Sequence, residues 1–192
     1  MSVDRKLLDS VAEKCKSIFA IVKPLDLVAN VARAIEQEKS CQIIIMPLSE
    51  EDQRVAGCEG FTATCEPELK LGNTLLRSKD DPFRQHFVFF RPEHASELER
   101  FRVGHELGHC ALHWPLTNSE NRKIWGELGN IGKFYLVRFT RSEEEEADAF
   151  ACLLGACQPK RVRRFRVDID GAIEKVQEYM KQGFLQSPKF IK

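Results

Sequence analysis

Apolar residues recur at helical spacing over residues 4–20, where Leu7, Leu8, Val11, Ile18 and Phe19 form one stripe, so the pattern predicts an amphipathic helix. Pro24 interrupts it, and Asp26 can cap a second helix carrying Leu27, Val28, Val31, Ala34 and Ile35. The periodicity then changes. Residues 41–48 are a short β-branched run, 60–65 lie between Gly57 and Pro67, and 87–90 read Phe-Val-Phe-Phe before Pro92; each predicts a strand. Residues 73–81 read as loop. Ser96 and Glu99 have the spacing of a capping box, opening a helix that runs to about His113 and stops before Pro115. Residues 117–133 are polar and glycine-bearing and read as loop, and 134–139 read as a strand. Ser142 and Glu145 form a second capping-box pair, opening a helix through Leu154 with Pro159 as its stop. Residues 162–167 suggest a strand and 172–180 a last helix. Helices, then strands, then helices fit an α+β fold: one domain with a small, mostly antiparallel sheet packed on helices. Within it, 1–24 form a helical extension, 25–160 the core, and 161–192 a C-terminal strand and helix.

Composition narrows the class. The chain has 192 residues, 43% hydrophobic and 30% charged, which is globular rather than disordered. Lys plus Arg is 29 and Asp plus Glu is 29, a balance that argues against a dedicated nucleic-acid binder. The basic cluster at 160–166, which includes Phe165, fits a solvated strand face better than a nucleic-acid contact. Apolar runs such as Ile43 to Met46 are far too short to span a membrane, and Asp4, Asp9 and Glu13 break any secretory signal. The seven cysteines are odd in number and contain no C-x-x-C pair, which points to free thiols in a reducing cytoplasm.

Chemistry enters at residues 105–109, His-Glu-Leu-Gly-His, on a predicted helix. Positions i and i+4 share a helix face about 6 Å apart, so two imidazoles there can each give one nitrogen to a single Zn²⁺ at about 2.0–2.1 Å. Glu106 is rotated by about 100° from His105, beside the ligands, where it can act as general base on a metal-activated water. A catalytic zinc site needs a third protein ligand. The metzincin extension would require Gly and His at positions held by Leu112 and Pro115, so it fails. His113 drifts by about 40° per step from His105 and His109 and falls at the helix end, which favours a helix-end or partner-facing role over ligation. The better source is the acidic segment at 143–148. Ala147, Ala151 and Gly155 make a stripe of small residues that would let this helix pack closely on the one bearing the histidines. Glu144 lies on that stripe and is the first choice, with Glu143 at its apolar flank in reserve. Glu145 and Glu146 are expected to point away. Asp148 could accept the second ring N–H of a ligating histidine. A glycine-rich stretch, Gly126 to Lys133, lacks the Gly and Ser/Thr of a phosphate loop and is rejected. Trp114 and Trp125 read as packing anchors.

Arg100 to His109, followed by Leu112-His113, resembles the R-F-t-x-A-H-E-L-G-H-x-L-L-H core of the ImmA/IrrE family of zinc metallopeptidases. Glu144 to Ala151 is similar to that family's E-x-x-A-N-x-F-A segment. The match covers about residues 100–159. It departs at Gly104 (usually Ala), at Asp148 (usually Asn), and after Leu154, where the family's continuation to Pro is replaced by Gly-Ala-Cys-Gln. The resemblance implies a minimal gluzincin-like fold, one Zn²⁺ per chain held by His105, His109 and Glu144, and regulated cleavage of a protein partner, often a helix-turn-helix repressor. Tyr135, Arg138, Arg141 and His113 are candidates for an added oxyanion donor, although a structural or surface role is the commoner one for each. The strand at 87–90 could offer an edge to an extended substrate, although such a strand is more often simply core. The competing reading is a non-catalytic, zinc-containing interaction module. The presence of Glu106 beside an open His-His-Glu set favours the enzyme.

Overall fold

The computed structural model describes residues 4–21, 28–49, 51, 59–67, 70–71, 74–75, 84–92, 96–114, 122–127, 132–137, 139–155, 174–175 and 178. Helices α1 (Arg5–Lys14), α2 (Lys16–Ile21) and α3 (Val28–Lys39) come first. They are followed by strands β1 (Cys41–Pro47), β2 (Gly60–Pro67), β3 (Lys70–Leu71), β4 (Thr74–Leu75) and β5 (Arg84–Phe90). Helix α4 (Ser96–Leu112), strands β6 (Arg122–Glu127) and β7 (Gly132–Val137), and helix α5 (Arg141–Leu153) complete the described elements. The α+β expectation holds. The main sheet is mixed, in the order β1-β5-β2-β7-β6, with β1 and β5 parallel and every other pair antiparallel.

Strand β5 is interior. Phe87, Val88 and Phe89 are fully buried, and the strand pairs with β1 from Arg84 to Phe90 and with β2 across most of its length. Both its edges are taken, so it offers no free edge to a substrate and serves as core. Successive side chains alternate between faces. Phe61 and Phe89 stack on one face at 4.5 Å between centroids. Val88 joins Val103, Leu107 and Cys110 of α4 in the core on the other. On the exposed side of β1, Glu36 of α3 accepts the Ile43 N–H at 2.7 Å, which closes part of that edge. Arg102 anchors α4 to the strand ends: its guanidinium donates to Arg91 O at 3.1 Å and lies 3.3 Å from Glu59.

Helices α4 and α5 pack together, and α1 packs on α5. The α4–α5 contact is close because both surfaces are small. A Cβ added at Gly108 would stand 3.0 Å from Ala147 Cα, and one at Gly104 would stand 3.3 Å from Ala151 Cα. The stripe of Ala147 and Ala151 is therefore used as expected. Gly155 is not part of the contact: it adopts φ +79° just past the helix, the left-handed conformation that ends many helices.

Several local expectations shift. The first helix breaks at Cys15, which caps α1, and Phe19 of α2 stacks on Phe150 at 5.4 Å. The cap of α5 is Thr140, not Ser142. Its hydroxyl accepts the Glu143 N–H at 3.3 Å, and Glu143 accepts the Thr140 N–H at 2.7 Å. Glu145 instead pairs with Arg141 at 2.9 Å. The stretch 117–133, read as loop, contains β6 and the start of β7; a bulge between Ile124 and Glu127 accommodates Gly126. Charged residues and glycine suit such an edge strand and hide it from a hydrophobic count. Within 73–81, Thr74–Leu75 pairs with Lys70–Leu71. The proposed strand at 162–167 and the basic cluster at 160–166 lie outside the described residues, and of the last helix only Glu174, Lys175 and Glu178 are described, as helical. The described Cys15, Cys41, Cys110 and Cys152 take part in no disulfide, and among the described residues no helix is long and apolar enough to cross a membrane.

Replacing Gly108 with Ala puts a methyl group against the backbone of α5. We expect a loss of about 1–3 kcal/mol in denaturant unfolding, together with weaker metal binding, because the two helices must separate.

Candidate metal centre

Helix α4 presents His105 and His109 one turn apart, and the close α4–α5 contact brings Glu144, in the first turn of α5, up to them. The donor atoms of the three residues all lie within 4.8 Å of one another. The Nε2 atoms of His105 and His109 are 3.2 Å apart, and His105 Nε2 is 3.4 Å from Glu144 Oε2. His109 Nε2 is 4.0 Å from Glu144 Oε1. Two donors on a tetrahedral ion at about 2.0–2.1 Å stand about 3.3–3.4 Å apart, so the set is spaced to hold a metal ion. Glu143, the reserve ligand, is committed to the capping box and is set aside.

Each histidine uses its outer nitrogen as well. His105 Nδ1 donates to Asp148 Oδ1 at 2.8 Å, the partnership anticipated for Asp148, which is buried. His109 Nδ1 lies 2.9 Å from His113 Nδ1, and His113 Nε2 lies 3.3 Å from Glu146 Oε2. Glu146 in turn accepts from Lys14 Nζ at 2.6 Å. His113 is thus a helix-end residue, as expected, but buried behind His109 rather than facing a substrate, which removes it as an oxyanion donor. Glu146, expected to point away, faces His113 and α1. Phe139 stacks on His109 with centroids 3.6 Å apart and planes at 6°.

Glu106 lies under the histidines against β2. It is 7% exposed, and its Oε2 accepts from Thr62 Oγ1 at 2.7 Å. A Cβ at Gly60 would come within 3.2 Å of Oε1, so the glycine makes room for the carboxylate. Burial pushes the Glu106 carboxyl up to about 7, against the opposing pull of His105 and of the Thr62 hydroxyl. Burial works against a charged His105, yet hydrogen bonds to Asp148 and Glu144 and the charge of Glu106 carry its pKa up to about 10. Burial lowers His113 despite its bond to Glu146. Glu146 is held below the usual carboxylate range, because bonds from Lys14 and His113 overcome its burial.

The sequence gives no sign of Thr62 or Phe139 at the site and places Glu146 on the far side of its helix. Thr62 is far away in the chain, with no local signal. The i+4 spacing of His113 from His109 was a usable clue, since it places one ring behind the other. Among the other oxyanion candidates, Arg141 is exposed and paired with Glu145, Arg138 lies outside the described residues, and Tyr135 is placed by its backbone in β7 opposite Thr64. Trp114 is buried against His86 at 5.4 Å, as a packing anchor should be. No protein-family profile, curated protein or solved structure matches the chain.

Two outcomes follow from this geometry. Glu144→Ala should abolish tight metal binding in equilibrium dialysis, whereas Glu143→Ala should keep it and lose about 0.5–1.5 kcal/mol of stability with its cap. The second concerns pH. Without metal, Glu106 and His105 both bind protons more tightly folded than unfolded. The contribution of Glu106 is complete below its ordinary 4.5 and is lost as pH rises through about 7. That of His105 is complete below 6.5 and is lost as pH rises through about 10. Metal-stripped protein should therefore melt lower at about pH 9 than at about pH 6. Metal affinity should change in the opposite direction, because a ligating imidazole must first shed its proton.

Proposed function

We propose that this protein is a zinc-dependent endopeptidase that cleaves a specific protein partner. The observation that carries the reading is the division of labour on one helix turn. His105 and His109 converge with Glu144 on a common point, while Glu106, between them in sequence, is left out of the donor set and buried beside it. A structural zinc site would close with a fourth protein ligand, usually Cys. Among the described residues the donor set stops at three, which supports a site that keeps a position open.

Zn²⁺, when bound, would supply Lewis acidity, polarising the scissile carbonyl and lowering the pKa of the attacking water toward about 7. The chain's own residues do the rest. Thr62 occupies Oε2 of Glu106, which leaves Oε1 to take the proton of the attacking water and to return it to the leaving amine. Burial keeps the affinity of that carboxyl for a proton near neutrality, where both transfers are feasible. Asp148 holds His105 in the tautomer with Nε2 free for the metal.

The resemblance to the ImmA/IrrE family supports the peptidase reading and points to a helix-turn-helix transcriptional repressor as substrate class, in a cytoplasmic setting. Nucleic acid and membrane are not expected partners, given the balanced charge.

Glu106→Gln separates the enzyme from a non-catalytic zinc module. It should retain about one zinc per chain and lower cleavage of a peptide library, read by mass spectrometry, by about 10²–10⁴-fold. Cleavage at the unmodified rate would sink the catalytic assignment.

A further inference from the structure

We propose that His113 and Glu146 are positioning residues of the metal centre, which fix the tautomer of His109 and tie it through Lys14 to helix α1. This rests on the metal-site reading above and extends it to three residues that touch neither metal nor substrate.

The argument begins with proton bookkeeping. His109 Nε2 belongs to the donor set, 3.2 Å from its counterpart on His105. A nitrogen that gives its lone pair to a metal carries no proton, so the neutral ring holds its proton on Nδ1. That atom is 2.9 Å from His113 Nδ1, which must accept. His113 then carries its own proton on Nε2 and donates it toward Glu146 Oε2 at 3.3 Å. The other oxygen of Glu146 accepts from Lys14 Nζ at 2.6 Å. Once the first link is set, every later link has one direction, and the chain ends in a carboxylate matched by an ammonium group.

The two ligating rings are therefore supported in different ways. His105 meets a carboxylate directly, at Asp148. On its Nδ1 side His109 meets a second imidazole, with the Glu146 carboxylate beyond it. Phe139 stacks flat on the ring and restrains it out of plane, and the Nδ1 bond restrains it in plane. The His113 side chain is 5% exposed, so removing it takes away the acceptor 2.9 Å from His109 Nδ1 at a place largely closed to water. The Lys14 side chain is 50% exposed, and solvent screens its ion pair. The effect of each residue should diminish along the chain from His113 to Glu146 to Lys14.

The test measures the zinc dissociation constant of the full chain by chelator competition, with the melting temperature of the metal-free form as a folding control. His113→Leu should weaken zinc binding by about 10–100-fold. His113→Asn can accept from His109 and donate to Glu146, and should recover most of that loss. Glu146→Leu should weaken binding less than His113→Leu, and the double variant should be no weaker than His113→Leu alone. Lys14→Met should change it by about twofold or less. In zinc-loaded protein, long-range ¹H–¹⁵N spectra should show the proton of His109 on Nδ1. Unchanged zinc affinity in folded His113→Leu, or equal losses in the Leu and Asn variants, would overturn the proposal. Should His113→Leu not fold, unchanged affinity in Glu146→Leu overturns it instead. If the unmodified chain itself binds no zinc, the metal-site reading fails and this proposal with it; zinc binding that is normal but indifferent to His113 and Glu146 rejects the positioning role alone.

Discussion

The contact between helices α4 and α5 is the constraint on which the rest depends. Gly108 and Gly104 lie against the backbone of Ala147 and Ala151, with Phe150 and Leu154 close beside them. Helices that touch through such surfaces approach more closely than a Leu-lined pair would allow. Only that proximity lets a carboxylate in the first turn of α5 reach two imidazoles in the middle of α4. The hydrophobic residues flanking the seam, among them Leu107, Phe150 and Leu154, hold the helices in register by burial rather than by polar contacts.

The second organising feature is charge. Glu106, Glu144 and Asp148 converge around His105, and Glu106 and Asp148 are buried. Such a cluster is costly unless a cation joins it. In the metal-free protein the cation is a proton on His105, whose pKa is carried up to about 10. A divalent ion would displace that proton and satisfy the same carboxylates. The site's own electrostatics thus favour metal binding before any chemistry is considered. They also explain why Glu106 takes a hydrogen bond from Thr62: a buried carboxylate needs a donor.

Much of this was legible in the chain. The i, i+4 histidines, the glutamate beside them and the small-residue stripe are all periodic features within single helices, and helical periodicity is a local property. The same geometry favours Glu144 over Glu143, whereas the cap that engages Glu143 lies at Thr140, two residues before the Ser142 pattern. Ser142 and Thr140 both precede a Glu by three residues, so the pattern alone could not separate them. Strand β7 is legible from residue 134 onward, whereas the edge strand β6 is hidden because its glycine and charges resemble loop chemistry.

The sequence by itself determined the residue types of the candidate metal site, their helical spacing and the apolar surfaces that make an α+β core, since these depend on local stereochemistry and composition. Tertiary structure decided the rest: that β5 is enclosed by β1 and β2, that Thr62 meets Glu106, and that His113 turns inward to Glu146 and Lys14. Each of these is a pairing between residues far apart in the chain. Local pattern carries no information about which distant surface will arrive, because that is settled only when the helices and the sheet pack into one core.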